Sequence, residues 1–144
     1  MNLFTIGFTK KTAEEFFDLL IKNNVKNLID IRLNNKSQLA GFAKGEDLKF
    51  FLNKIGQIEY NYMPEFAPTE DLLKGYRKNQ ISWEEYEKQY NKLLIERTVL
   101  KNKDISIFDN ACLLCSEPTA KQCHRRLAAE YIAKVDKEIK ITHL

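Results

Sequence analysis

The chain has 144 residues, of which 44% are hydrophobic and 30% charged, and its formal net charge is +3. A chain of this length buries enough apolar surface to fold without disulfide staples, so we predict a single domain over residues 1–144. The composition excludes collagen-like, disordered and disulfide-rich proteins. The small excess of basic residues permits an anionic partner, but it is weaker than the charge of a dedicated DNA-binding protein.

Three features of the sequence predict a cytoplasmic protein with no membrane association. No run of residues is long and apolar enough for a transmembrane helix. The first residues, MNLFTIGF, lack the pattern of a secretory signal, and a count of three cysteines is typical of a reducing compartment. The sequence indicates no particular oligomeric state.

Predicted strands and helices alternate along the chain. Short apolar runs predict strands, and Thr12–Glu15, Ser82–Glu85 and Thr119–Gln122 each have the capping-box pattern that begins a helix. The predicted elements, in chain order, are a strand Leu3–Gly7, a helix from Thr12 to near Asn23, a strand Asn27–Ile31, a loop Leu33–Gly45, a helix Glu46–Ile55 closed by Gly56, a strand Ile58–Tyr62, a loop with Pro64 and Pro68, a helix after Ser82, a strand Ala111–Ser116, a helix after Thr119 and a strand Glu138–Ile141.

This alternation predicts an α/β fold, a Rossmann-like three-layer sandwich with a mainly parallel sheet of about five strands and helices on both faces. Ligands of such sheets bind beyond the carboxyl ends of the strands, so chemistry is expected after Gly7, Asp30, Tyr62 and Cys115. An aromatic stripe on the helix after Ser82 is typical of core packing; it contains Trp83, Tyr86 and Tyr90.

Residues 112–126 contain all three cysteines and one of the two histidines. With Thr119 as the N-cap, a helical wheel places His124 at the centre of the buried face, and Cys123 and Arg125 flank it. Cys115 and Glu117 approach the same point from the preceding strand. The amino end of a helix favours anions and thiolates, so we expect these five side chains to converge on one site.

Each member of this cluster has a predicted role. We expect Cys115 or Cys123 to be a thiolate nucleophile, with His124 as its base or partner. Glu117 is the candidate orienting carboxylate. Arg125 is the candidate clamp for an anionic substrate, since a guanidinium holds a carboxylate or phosphate with two hydrogen bonds.

A second set of candidates follows the first two strands. Alternation places Asp30 and Arg32 on the same side of the second strand, where they form an ion pair or contact substrate. Asp30 could orient a substrate hydroxyl or His124, and Arg32 could extend the anion clamp. Gly7 with Thr9 would let a ligand approach the backbone. The predicted substrate-binding residues are Gly7, Thr9, Asp30, Arg32 and Arg125.

Other interpretations of the cluster stay open. Packing alone could bury each residue. A four-ligand metal site would need Cys112 beside Cys115, but in a strand they point to opposite faces about 10 Å apart, so we expect no metal and no cofactor. A phosphatase loop would need arginine where Lys121 stands, and a thioredoxin-like motif should open a helix rather than lie in a strand.

Three functions therefore compete. The first is an enzyme acting on an anionic small molecule, a nucleotide or a nucleic-acid end. The second is a nucleic-acid-binding module without catalysis, whose phosphate contacts would come from Arg32, Arg77, Lys121 and Arg125. The third is a thiol-based redox or metal sensor, which predicts bound zinc or a reversible disulfide between Cys115 and Cys123.

Several short motifs together resemble the domain of unknown function 488 family over nearly the full length. They are Thr5-Ile-Gly7, Asp30-Ile-Arg32, Trp83 with Tyr86 and Tyr90, Leu114-Cys-Ser-Glu117 and Cys123-His-Arg125. The resemblance implies a small α/β domain and enzymatic activity from the cysteine motif, without naming a reaction. Phe8 stands where members usually carry histidine, which implies altered activity if that histidine takes part in catalysis.

Overall fold

A computed structural model describes residues 1–36, 41–117 and 119–144. Five strands form one sheet in the order β3-β2-β4-β1-β5, and every neighbouring pair is parallel. The strands are β1 (Asn2–Gly7), β2 (Asn27–Asp30), β3 (Glu59–Tyr62), β4 (Ala111–Cys115) and β5 (Lys140–His143). The predicted α/β fold with a parallel five-stranded sheet is confirmed.

Across the described ranges, five α-helices connect the strands, and three short 3₁₀ turns lie between these elements. The helices are α1 (Ala13–Lys22), α2 (Gly45–Gly56), α3 (Glu70–Arg77), α4 (Trp83–Glu96) and α5 (His124–Ala133), and the 3₁₀ turns are Gly41–Ala43, Pro64–Phe66 and Ile105–Phe108. Within the described ranges, no helix has both the length and the apolar character needed to cross a bilayer.

The core has two layers because successive strand residues face opposite sides of the sheet. On one side, Leu3, Ile29 and Leu113 pack with buried residues of α4 and α5. On the other side, Ile6 and Leu114 pack with buried residues of α1 and α2. Helices therefore cover both faces, as expected of the three-layer sandwich.

Two of the three predicted helix starts are confirmed. The Thr12 and Ser82 hydroxyls each accept a hydrogen bond, 3.1 Å long, from the amide three residues later. The third start is wrong, because α5 begins at His124 with Cys123 as its N-cap. Residues 119–122 form bends and turns instead, which return the chain from the end of β4 to a position over Cys115.

Other boundaries differ from the predictions by a few residues. The left-handed residue after α2 is Gln57 (φ 52°), not Gly56, and β5 starts two residues later than expected. Helix α3 was not predicted; its N-cap is Thr69, whose hydroxyl accepts from the Leu72 amide at 3.1 Å. The predicted loop 33–45 includes residues 37–40, which lie outside the described residues; its end forms a 3₁₀ turn and the first residue of α2.

The aromatic stripe of α4 packs as predicted. Trp83, the only tryptophan of the chain, stacks on Tyr86 with ring centroids 5.1 Å apart. Tyr90 is fully buried, and its hydroxyl donates to the Phe66 carbonyl oxygen at 2.6 Å. Tyr76 of α3 packs edge-on against Trp83 at 5.5 Å, so this stripe joins α3 to α4.

Candidate functional site

Two sulfur atoms and an imidazole come together at the carboxyl edge of the sheet. Cys115 is the last residue of β4, and Cys123 and His124 lie at the start of α5. Their Sγ and ring nitrogen atoms all lie within 4.8 Å of one another, and all three residues are buried. The sequence predicted this convergence even though it placed the helix start too early.

These three residues line the floor of a cleft of about 720 Å³, a volume typical of small-molecule sites. The ends of β1 and β2 form one wall, through Phe8, Thr9 and Arg32. Helix α3 contributes Tyr76 and Arg77 to the opposite wall. The cleft therefore opens where the parallel strands end, as the fold predicts.

The imidazole of His124 has a fixed orientation. Its Nε2 lies 2.8 Å from the Ile31 carbonyl oxygen, which only accepts, so Nε2 carries the proton and donates. Nδ1 therefore presents its lone pair, and it lies 4.0 Å from the Cys123 sulfur. Burial lowers the pKa of His124 to about 4, so the ring is neutral at pH 7.

The guanidinium of Arg125 lies beneath the sulfurs rather than in the cleft. Its Nη1 donates to the Cys115 Sγ at 3.4 Å and to the Glu117 carbonyl oxygen, and the residue is 1% exposed. Burial lowers the pKa of Arg125 to about 10, so it keeps its charge at pH 7. The predicted role as a direct substrate clamp is therefore wrong for this geometry; Arg125 instead places a positive charge against Cys115.

Gly7 makes room for this arrangement. A Cβ atom at Gly7 would collide with the Glu117 carbonyl and with Nη1 of Arg125. Gly7 is paired in register with Cys115, so the two strand ends hold the guanidinium between them. The expected approach of a ligand to the Gly7 backbone is not available, because the protein's own groups fill that space.

The two cysteines form a contacting pair. The structure joins the Sγ atoms of Cys115 and Cys123 as a disulfide, with the Cα atoms 7.8 Å apart. Natural disulfides usually have Cα separations of about 4.4–6.8 Å. The backbone therefore holds these two residues slightly farther apart than a disulfide prefers.

Asp30 and Arg32 form a buried ion pair on the α1/α2 side of the sheet. Asp30 accepts from Nε and Nη2 of Arg32 at 2.9 and 2.8 Å, and Tyr60 donates its hydroxyl to the same carboxylate at 2.6 Å. Burial, together with this hydrogen bond to Asp30, raises the pKa of Tyr60. No hydrogen bond joins Asp30 to His124 within the described ranges, so the suggested role of Asp30 toward the imidazole or a substrate hydroxyl stays a prediction.

One nitrogen of Arg32 is left over. Nη1 is buried and has no hydrogen-bond partner among residues 1–36, 41–117 and 119–144, although Arg32 lines the cleft. The guanidinium carbon lies 5.4 Å from the Phe8 ring centroid. Phe8 thus contacts Arg32 at the position where a histidine was expected from the family resemblance.

Glu117 and Thr9 both line the cleft. The Glu117 side chain is exposed, and the His124 ring is oriented by the Ile31 carbonyl instead. The role of Glu117 as an orienting carboxylate therefore stays a prediction, since no hydrogen bond joins its carboxylate to His124 within the described ranges. Thr9 is tied to the neighbouring loop by its amide, which donates to the Ser116 carbonyl oxygen at 3.2 Å.

Cys112 takes no part in the cluster. It is fully buried on the α1/α2 side of the sheet, and burial raises the pKa of its thiol. The predicted separation of Cys112 from Cys115 is therefore confirmed. The three remaining candidate ligands, Cys115, Cys123 and His124, lie together without it.

The cations considered for nucleic-acid binding do not form one surface. Arg32 and Arg125 are 3% and 1% exposed, whereas Arg77 and Lys121 are exposed. Of these four, Arg32 and Arg77 line the cleft.

Sequence reasoning missed the contributions of β3 and α3 to the site. Tyr60 completes the Asp30 network, and the Tyr76 hydroxyl donates to Gln122 Oε1 at 2.8 Å, bridging α3 to the loop before α5. The acidic first turn of α3 after Thr69, with Arg77 in its last turn, was the signal that could have revealed this helix.

Comparison with known proteins gives one match. The family model described as "Domain of unknown function DUF488" matches residues 12–132. No curated protein matches the chain. No solved structure matches it either. With a match over most of its length, and with the fold that the resemblance implied, this chain belongs to the domain of unknown function 488 family.

Proposed function

We propose that this protein is an enzyme in which the Cys115 thiolate attacks an anionic substrate held in the cleft. The observation that carries the proposal is the contact between Arg125 Nη1 and Cys115 Sγ at 3.4 Å. A guanidinium against a sulfur favours the thiolate, which is the nucleophilic form. Cys123 has no such contact with the guanidinium among its hydrogen bonds within the described ranges.

The chemistry follows from the position of the sulfur at the cleft floor. The Cys115 lone pair forms a bond to an electrophilic carbon or phosphorus of the substrate, and the leaving group departs with its bonding electron pair. Water then attacks the same atom and displaces the sulfur. This second step regenerates the thiolate and releases the product and one proton.

The substrate class follows from the cleft walls. Arg77 supplies positive charge to the cleft wall, and Nη1 of Arg32 adds a buried donor without a hydrogen-bond partner in the described ranges; both suit a phosphate or carboxylate. Tyr76 and Tyr86 line the same cleft and offer aromatic faces to a flat group. A nucleotide combines these features and fits a cleft of about 720 Å³.

Alkylation of the reduced, chelator-treated protein at pH 7 tests the nucleophile. We expect iodoacetamide to label Cys115 roughly tenfold faster than free cysteine, since only a few per cent of a thiol with pKa about 8.5 is ionised at this pH. Mass spectrometry of the peptides measures each site, and the buried Cys112 is the internal control. A rate at Cys115 below that of free cysteine would contradict the proposal.

Protection by adenosine monophosphate tests the substrate class. The nucleotide should slow labelling of Cys115 in the native protein. Arg77→Gln should weaken this protection, whereas Lys78→Gln should retain it, because Lys78 is the adjacent exposed cation and does not line the cleft. Equal protection in both variants would remove Arg77 from the anion site.

A further inference from the structure

We propose that Cys115, Cys123 and His124 bind a zinc ion whose fourth coordination position faces the cleft. Two thiolates and one imidazole are ligands that zinc prefers, and three protein ligands with one open position are typical of catalytic rather than structural zinc sites. The site does not depend on the proposed function. One consequence does: an ion on Cys115 occupies the nucleophile, so zinc would inhibit the thiol reaction reversibly.

The distances between the donor atoms suit a single ion. All three lie within 4.8 Å of one another. Zinc bound at about 2.0–2.3 Å from each donor brings the donors to roughly 3.5–3.8 Å from one another. The two sulfurs, which the structure joins as a disulfide, must therefore be reduced and rotate apart to accept the ion.

His124 is prepared as a ligand by its second nitrogen. A metal-bound histidine almost always donates its other N–H to a carbonyl or carboxylate, which fixes the ring. His124 makes this contact, from Nε2 to the Ile31 carbonyl oxygen at 2.8 Å. Nδ1 is therefore the free ligand atom, and it is the ring nitrogen that faces the sulfur of Cys123.

The backbone spacing of the cysteines also favours a shared ion. Their Cα atoms are 7.8 Å apart, beyond the usual disulfide range of about 4.4–6.8 Å. An atom placed between the two sulfurs suits this longer separation better than a direct S–S bond does.

Binding of the ion adds no net charge to the buried site once both thiols are deprotonated. Two thiolates neutralise the two positive charges of the ion, and the Arg125 guanidinium on Cys115 supports the deprotonated state that metal binding requires. The open position lies in the cleft that also contains Arg77. A water molecule or an anionic ligand can therefore complete the coordination.

Titration of the reduced protein with Co²⁺ tests the site. Cobalt substitutes for zinc and gives a sulfur-to-metal charge-transfer absorption when thiolates bind. We expect one equivalent to bind, and one equivalent of Zn²⁺ to displace it. Cys115→Ser, Cys123→Ser and His124→Gln should each lower the affinity at least tenfold, whereas Cys112→Ser should bind as the wild type does.

A measurement on the unmutated protein covers the case in which a variant fails to fold. X-ray absorption of the zinc-loaded protein should show two sulfur neighbours at about 2.3 Å and one imidazole nitrogen at about 2.0 Å. Absence of sulfur neighbours, absence of the cobalt absorption, or loss of binding in Cys112→Ser would each overturn the inference.

The two proposals fail in different ways. If metal-free protein is alkylated rapidly at Cys115 but binds no Co²⁺, the thiol enzyme stands and the zinc site falls. If Co²⁺ binds through two sulfurs but metal-free Cys115 reacts more slowly than free cysteine, the zinc site stands and the thiol mechanism falls.

Discussion

Two buried arginines lie at the same edge of the sheet, on opposite faces, and their partners differ. Arg32 is neutralised by the Asp30 carboxylate, which Tyr60 also contacts. Arg125 contacts the Cys115 sulfur and the Glu117 carbonyl oxygen, and neither a salt bridge nor a side-chain carboxylate contact is found for it within the described ranges. One arginine therefore belongs to a compensated ion pair, whereas the other keeps its positive charge beside a thiol.

Because their partners differ, we expect Arg32 to contribute to folding stability and Arg125 to contribute to the reactivity of a thiol. A buried charge that loses its counter-ion is costly, so the Asp30–Arg32 pair should matter most for folding. A buried guanidinium without a carboxylate partner stabilises the anionic form of the ionisable group that it contacts. Here that group is the Cys115 thiol. Variants at Asp30 should therefore change the free energy of unfolding, whereas variants at Arg125 should change the reactivity of Cys115.

The largest effect is expected at Asp30. Asp30→Asn removes the negative charge and points amide hydrogens at the donors of Arg32, so the free energy of unfolding should fall by about 3–5 kcal/mol. Urea denaturation measures it. Glu70→Gln is the matched control, because its ion pair with Lys74 is exposed, and it should leave stability unchanged. A loss at Asp30 below about 1 kcal/mol, the value of an exposed pair, would refute the assigned role.

Gly7→Ala should have the next largest effect. The new Cβ collides with the Glu117 carbonyl and the Arg125 guanidinium, so we expect a loss of about 3 kcal/mol, the upper end for overpacking. Gly75→Ala in α3 is the control, since the nearest atom to its Cβ would be 3.8 Å away; it should stabilise by up to about 1 kcal/mol. Equal unfolding midpoints for both variants would show that the β1 end is not tightly packed.

Tyr60→Phe sharpens the comparison on the Asp30 face. It removes a hydroxyl that donates to a carboxylate at 2.6 Å, which should cost about 1.5 kcal/mol. Tyr62→Phe removes a hydroxyl that donates only to the Arg32 and Leu33 carbonyls, and about 0.5 kcal/mol is expected. Both values come from urea denaturation. The ranking would be wrong if the Tyr62 variant lost as much stability as the Tyr60 variant.

Arg125→Gln should have an effect slightly smaller than that of Tyr60→Phe, and it should change the reactivity of Cys115. The alkylation rate of Cys115 at pH 7, in reduced and metal-free protein, should fall roughly tenfold, which corresponds to about 1.4 kcal/mol. Arg126→Gln is the control, because that guanidinium pairs with Glu130 at 3.1 Å. If both variants label like the wild type, the guanidinium does not activate the thiol.

The sequence predicted the sheet because its signals are local. Apolar runs and the Thr12 and Ser82 caps each occupy a few consecutive residues, and alternation along β2 was enough to place Asp30 and Arg32 on one side. The Thr119 pattern failed because residues 119–122 form bends and turns, and α5 begins only at His124, with Cys123 as its N-cap.

The chemistry of Arg125 could not be predicted in the same way. Its burial depends on the register that pairs Gly7 with Cys115, two residues more than a hundred positions apart in the chain. A helical wheel places Arg125 near the sulfur, but it does not show whether the Arg125 side chain is buried or faces solvent. Likewise, the contact of His124 with the Ile31 carbonyl depends on how α5 lies against β2.

The single tryptophan gives the protein an internal optical reporter. Trp83 touches Tyr76 and Tyr86, both of which line the cleft, and the Arg126 guanidinium lies 5.9 Å from its ring. Tryptophan fluorescence therefore reports on Trp83 alone, because the sequence contains no second tryptophan. Any ligand that moves α3 or the start of α5 should therefore change the emission, and binding can be followed without attaching a dye.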